Sequence, residues 1–204
     1  MHAYVSRALA WGYKGDYDRS IADNSKAIEL DSRYLRAYYN RGADWFNKGD
    51  YEKAIADFSK AIALDSNYLN GYYSRGVAWN GKGNYDSAIA DFDTVIGIDP
   101  SHAAAYENRG VSWSKKGDRK KAFADYDKAI ELNPQSTSAY LNRGQEWFSI
   151  GDYGKAIIDY TLALKTEPGN ARAYEDRAAA WLRIGRNARA KQDREKAAEL
   201  TAKH

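Results

Sequence analysis

The sequence predicts an all-α fold, a solenoid stacked from six helical hairpins, and three observations carry that expectation. The first is a fixed step of 34 residues. Trp11, Trp45, Trp79, Trp113, Trp147 and Trp181 all fall on it, and they are every tryptophan in the chain. The second is that Tyr4, Tyr38, Tyr72, Tyr106, Tyr140 and Tyr174 keep the same step, as do Gly15, Gly49, Gly83, Gly117, Gly151 and Gly185, so that six copies fill all 204 residues. The third is helical spacing inside each copy, as in Tyr38, Arg41, Gly42, Trp45 and Phe46. One such unit cannot bury its apolar face alone, so neighbours must supply the core.

Residues 35–68 serve as the type unit. The spacing predicts a first helix over Leu35 to Lys48, ended by Gly49, which adopts a left-handed conformation at no steric cost. Asp50 then caps a second helix from Tyr51 to Leu64, with Ala54, Ile55, Phe58, Ala61 and Ile62 on one face. Asp65-Ser66-Asn67 closes it, and Pro100, Pro134 and Pro168 take the place of Ser66 in later copies, where a helix must stop. The boundaries expected are 1–34, 35–68, 69–102, 103–136, 137–170 and 171–204, as one domain over 1–204.

Over its full length the chain resembles the tetratricopeptide repeat family, whose pattern is Trp-x2-Leu-Gly-x2-Tyr, then Ala-x3-Phe, then Ala and Pro. The third copy matches as Tyr72-x2-Arg75-Gly76-x2-Trp79, then Ala88-x3-Phe92, then Val95 and Pro100. Tyr replaces the first Trp, Arg the Leu, and Trp the later Tyr in a systematic way. The resemblance implies a right-handed superhelix of helix-turn-helix units, a non-enzymatic role in protein–protein interaction, and a bacterial source.

The recurrent residues are expected to be architecture. Gly42, Gly76, Gly110 and Gly144 face Ala54, Ala88, Ala122 and Ala156 where two helices cross, and the Trp and Tyr ladders form core between hairpins. Arg7, Arg41, Arg75, Arg109, Arg143 and Arg177 each precede an Asp by 16 residues, from Asp23 to Asp193, which predicts an ion pair between the helices of every hairpin. The last second helix, Ala188 to Leu200, carries Lys191 and Arg194 where earlier copies have apolar residues, and reads as a polar cap. Asn24, in the place of Phe58, reads as a softened first repeat that disfavours end-to-end stacking.

Composition limits the function classes. The net charge is +3, and residues 171–204 hold nine Lys or Arg against five Asp or Glu, leaving the rest near neutral. No nucleic-acid surface is therefore expected along the array. No run approaches the roughly 18 apolar residues of a membrane span. Met1-His2-Ala3 leads straight into the first repeat without a leader, which points to a cytoplasmic location. The chain has no Cys, and His2, His102 and His204 lie at the termini or in a turn, so neither a metal site nor a cofactor nor catalysis is expected. Gly76-x4-Gly81-Lys82-Gly83 imitates a phosphate loop, but lacks Ser or Thr after the Lys and belongs to a helix. Asp91-Phe92-Asp93 places its carboxylates at i and i+2 on a helix, where they point apart.

By resemblance, the first helix of each hairpin lines the concave side of the superhelix. The candidate peptide-binding residues there are Arg36, Tyr39, Asn40, Phe46, Asn47, Tyr73, Val77, Asn108, Val111, Leu141, Asn142 and Phe148. The amides of Asn40, Asn108 and Asn142 can hold an extended peptide backbone, and Tyr39, Phe46, Tyr73 and Phe148 can cradle its apolar side chains. The carboxylate clamp of some family members is absent as a set, because the fifth position of the unit is never basic and the ninth is never Asn. The expected partner is a peptide segment of another protein, with the chain itself a monomer. The alternatives are a self-associating module and a designed or excised array without its own ligand. Copy-to-copy variation at Gly97, Glu107 and Gly154 favours a natural chain.

Overall fold

A computed structural model describes residues 1–202, and among them there are twelve α-helices and no strand. His204 lies outside the described residues. The helices pack into two compact units, Met1–Pro100 and Ser101–His204, each of three hairpins. In the first unit α1 (His2–Tyr13) pairs with α2 (Tyr17–Leu30), α3 (Leu35–Asn47) with α4 (Tyr51–Leu64), and α5 (Leu69–Lys82) with α6 (Tyr85–Ile98). In the second, α7 (Ala103–Lys116) pairs with α8 (Arg119–Leu132), α9 (Thr137–Ser149) with α10 (Tyr153–Thr166), and α11 (Ala171–Arg183) with α12 (Asn187–Thr201). This is the all-α helical repeat that the 34-residue step predicts.

The turn inside each hairpin is built as its residues require. Gly49 takes φ +79°, and the other five glycines of that register also have positive φ. The Asp50 carboxylate then accepts from Lys53 N at 3.1 Å, and Asp16, Asn84, Asp118 and Asp152 cap α2, α6, α8 and α10 in the same way. Second helices end at Leu30, Leu64, Ile98, Leu132 and Thr166, and the turns after the last three carry Pro100, Pro134 and Pro168. His102 caps α7, its Nδ1 accepting from Ala105 N at 3.1 Å.

The expected ion pair forms in all six hairpins. Each Arg is bidentate, from Arg41 Nε to Asp57 Oδ2 at 2.8 Å and Nη2 to Oδ1 at 2.8 Å, and likewise from Arg7–Asp23 to Arg177–Asp193. In Arg41, Arg75, Arg143 and Arg177 the remaining guanidinium nitrogen reaches back to the preceding hairpin. Arg41 Nη1 donates to Ser25, Arg75 to Ser59, Arg143 to Asp127 and Arg177 to Thr161. One side chain thus joins two helices and bolts adjacent hairpins together.

The core is filled differently from the expectation for the tryptophans. All six Trp rings are only half-buried, and cations rest on them: Lys53 Nζ lies 4.3 Å from the Trp45 centroid, Lys121 Nζ 4.0 Å from Trp113 and Lys155 Nζ 4.1 Å from Trp147. Near the end of the first helix the ring packs its inner edge while a long basic side chain covers its outer face. Of the Tyr ladder, Tyr38 and Tyr140 are buried. The fully enclosed rings are Phe58, Phe92, Tyr126 and Tyr160, all on second helices. Gly42 makes room for one of them. A Cβ there would sit 2.8 Å from Phe58 Cε1 and 3.3 Å from the Ala54 carbonyl, so the ring sets the requirement more than Ala54 does.

Asn24 is a second correction. It is 0% exposed, because α3 covers α2, so it is no part of a terminal surface. The C-terminal helix follows expectation: Lys191 and Arg194 are exposed, and only Ala190, Asp193 and Ala197 of α12 are buried.

Candidate functional site

The first helices of residues 1–100 border two adjacent hollows. The larger, about 260 Å³, lies between the first two hairpins, with Leu9, Gly12 and Tyr13 of α1, Tyr17 and Ser20 of α2, and Asn40, Ala43, Asp44 and Asn47 of α3 around it. The smaller, about 130 Å³, lies between α3 and α5, walled by Ala43, Phe46, Asn47, Tyr73, Ser74 and Val77 and floored by Phe58. Ala43 and Asn47 belong to both, so the two hollows adjoin along α3. The structure therefore brings Asn40, Phe46, Asn47, Tyr73 and Val77 together.

Other candidates serve packing. Tyr39 is half-buried; its ring lies 5.6 Å from Phe58 and edge-on to Tyr68 at 5.4 Å, and its hydroxyl is 3.3 Å from Ser74 Oγ. Phe46 stacks at a tilt on Tyr51 at 5.5 Å while keeping a face in the smaller hollow. Arg36 is exposed on α3, beside neither hollow.

In residues 101–202 the candidates are more internally committed. Asn108 Nδ2 donates to the Ala104 carbonyl at 2.9 Å, and Asn142 Nδ2 donates to Glu107 Oε1 at 3.3 Å. Glu107 also accepts from Ser136 Oγ at 3.0 Å. Leu141 and Phe148 pack against the cluster of Ala156, Ile157, Tyr160 and Ala180, and Val111 is half-buried. The amides and rings expected to face a peptide here already have partners within the chain.

Two buried carboxylates escaped the sequence reading. Asp44 and Glu146 occupy the tenth position of their repeats, where the other copies have Ala10, Ala78, Ser112 and Ala180. Ser20 Oγ donates to Asp44 Oδ2 at 2.6 Å, and Asn24 Nδ2 to the same oxygen at 3.2 Å. Burial pushes the Asp44 carboxyl above its usual range, and those two bonds pull it back only in part. Glu146 accepts from Ser114 Oγ and lies 3.7 Å from Arg119 Nε. Burial, followed by the charges of Glu146 and Glu107, drives the Tyr126 hydroxyl far up, so it stays protonated. A column-by-column comparison of the repeats would have flagged the tenth position, because an acid appears there twice among small residues.

Tetratricopeptide repeat models match residues 35–68, 69–102, 103–136 and 137–170, without a gap between them. The chain belongs to the tetratricopeptide repeat family. Members of this family are protein–protein interaction scaffolds, and their partners are proteins and peptides. Among solved structures, MamA is 27% identical with a TM-score of 0.71, over 79% of this chain and 95% of that one. A tetratricopeptide repeat protein from Parabacteroides merdae is 21% identical with a TM-score of 0.81, over 98% and 79%. YrrB, described as a tetratricopeptide repeat protein with an unusual peptide-binding site, is 23% identical with a TM-score of 0.64, over 89% and 93%. The last two likenesses speak to the fold. A comparison with curated proteins gives no match. No described helix is long and apolar enough to cross a membrane.

Proposed function

We propose that the chain is a non-enzymatic scaffold that binds an extended peptide segment of a partner protein along the first-helix face of residues 1–100. The observation that carries this reading is the pair of adjoining hollows that share Ala43 and Asn47. One is walled by Phe46, Tyr73 and Val77 and suits an apolar side chain; the other is lined by Asn40, Asp44 and Ser20 and suits a polar one. Apolar pockets with a few convergent polar groups are the usual anatomy of a peptide site. Asn47, exposed between them, offers an amide to the peptide backbone. The equivalent face of residues 101–202 supports binding less, since Asn108, Asn142 and Phe148 are engaged internally.

The test is a peptide-array screen with the wild-type chain and with the Phe46→Ala/Val77→Asp double variant. Loss of about tenfold or more in peptide affinity is expected for the variant, with helical circular dichroism unchanged. Equal affinity for the same peptides would remove the assignment of this face.

A further inference from the structure

Four residues of the first two repeats depart from the 34-residue pattern; the fold places Gly12, Ser20 and Asp44 on the larger hollow and buries Asn24 directly behind Asp44. Ser20 stands where Ala54, Ala88, Ala122 and Ala156 stand in later copies. Asn24 stands in place of the core rings Phe58, Phe92, Tyr126 and Tyr160. Gly12 takes the position of Phe46 and Phe148, and Asp44 that of Ala10 and Ala78. A Cβ on Gly12 would lie 3.4 Å from Asp44 Oδ1 and 3.7 Å from Ser20 Oγ, so the absent side chain leaves the space over the carboxylate open.

The polar groups here are unbalanced. Both internal donors, Ser20 Oγ and Asn24 Nδ2, serve Asp44 Oδ2, which leaves Oδ1 toward the hollow. Behind them Asn24 Oδ1 is buried with no hydrogen-bond partner. Asp44 is 6% exposed, and among the described residues no Lys or Arg pairs with it. A carboxylate this buried is costly without a counter-charge.

Glu146 shows what the fold does elsewhere with a carboxylate in that register. There Arg119 supplies the cation, with Nε 3.7 Å from Oε2. Arg119 occupies the position that Tyr17 holds in the first repeat. Asp44 thus has an aromatic wall where Glu146 has a guanidinium, and the hollow is far larger than the roughly 30 Å³ that one water takes up.

We infer that this cavity receives the cationic end of a basic side chain, a lysine ammonium or an arginine guanidinium on the bound peptide, with Asp44 as its counter-charge. Tyr17 and, at the open rim, the largely exposed Tyr13 line the cavity and would lie along the aliphatic stem. The inference rests on the peptide-scaffold reading only for the source of that side chain.

Amide NMR titrations of the whole chain with Nα-acetyl-lysine methylamide, Nα-acetyl-arginine methylamide and the neutral Nα-acetyl-norleucine methylamide test it. Saturable shifts at Gly12, Tyr13, Ser20 and Asp44 are expected with a basic probe and not with norleucine. The tighter of the two basic probes identifies the side chain. Asp44→Asn is expected to weaken that probe by about tenfold or more while melting no lower than wild type. Tyr17→Arg, which copies the Arg119–Glu146 arrangement, is expected to abolish it by filling the cavity with an internal cation. Silence from both basic probes, equal shifts with norleucine, or wild-type affinity in either variant overturns the inference. Should Asp44→Asn not fold, Tyr17→Arg and the lysine–norleucine comparison decide. Peptide capture that survives Asp44→Asn would sink the cavity alone, whereas probe binding that survives Phe46→Ala/Val77→Asp without any peptide capture would sink the groove alone.

Discussion

At the residue scale, two kinds of buried carboxylate separate architecture from a site. Asp57, Asp91 and their equivalents accept two bonds from an arginine and leave nothing unpaired. Asp44 has only neutral donors, and its carboxyl is raised from the ordinary 3.8 by burial. The sign of its effect on stability follows. The folded chain holds the Asp44 proton more tightly than the unfolded chain, so this group favours folding below pH 3.8, and that contribution is lost as pH rises through the raised folded value. The stability gap between Asp44→Asn and wild type should therefore open from pH 3.8 upward and be widest at neutral pH, in favour of the variant. Chemical denaturation of both chains across pH checks this, and a gap independent of pH would count against a desolvated carboxylate. The Arg–Asp pairs were legible in the sequence because both partners recur at a constant separation. Asp44 was not, because it occurs once at its position as an aspartate and its partners Ser20 and Asn24 read as mere deviations in another repeat.

At the scale of the helix, the repeat glycines have two different purposes, and substitution tells them apart. Gly42 lies where a Cβ would meet two Phe58 ring atoms at 2.8 and 2.9 Å, inside a close-packed crossing. Gly42→Ala is expected to destabilise by about 1–3 kcal/mol through overpacking, although alanine is the better helix former. Gly97 sits in α6 with nothing within 4 Å of a virtual Cβ. Gly97→Ala should stabilise by up to about 1 kcal/mol from helix propensity alone. Thermal melts of the two variants give opposite shifts if this assignment is right. Helix positions themselves were legible within a residue or two, since Gly49 and Asp50 mark a turn locally; Lys48, expected inside the first helix, is its C-cap. The ring that fills each crossing was less legible. Trp45 and Phe58 are both large aromatics at helical spacing, and only the packing shows Phe58 enclosed and Trp45 capped by Lys53.

At the scale of the whole molecule, a repeat protein holds together through the stability of each hairpin and the interfaces between neighbours. The last helix has no following hairpin to cover it, and it buries only Ala190, Asp193 and Ala197, against Ala156, Ile157, Asp159, Tyr160, Ala163 and Leu164 in α10. Amides of α12 should exchange with solvent well before those of α10 in native-state hydrogen exchange. Uniform protection across both helices would contradict this additive picture. The sequence by itself determined the period, the hairpin, its turn, its caps and the ion pair in each copy. All of these are local or strictly periodic, and a step of 34 residues exposes them without coordinates. Only the tertiary structure decided that the tryptophans are half-covered rather than enclosed, that Asn24 is buried, and that Gly12, Ser20 and Asp44 meet at one cavity with Asn24 behind them. The physical reason is that these outcomes depend on which side chains of neighbouring hairpins share a space. The periodicity that reveals the architecture averages away the departures from it, and in this chain the strongest candidate for function is made of such departures.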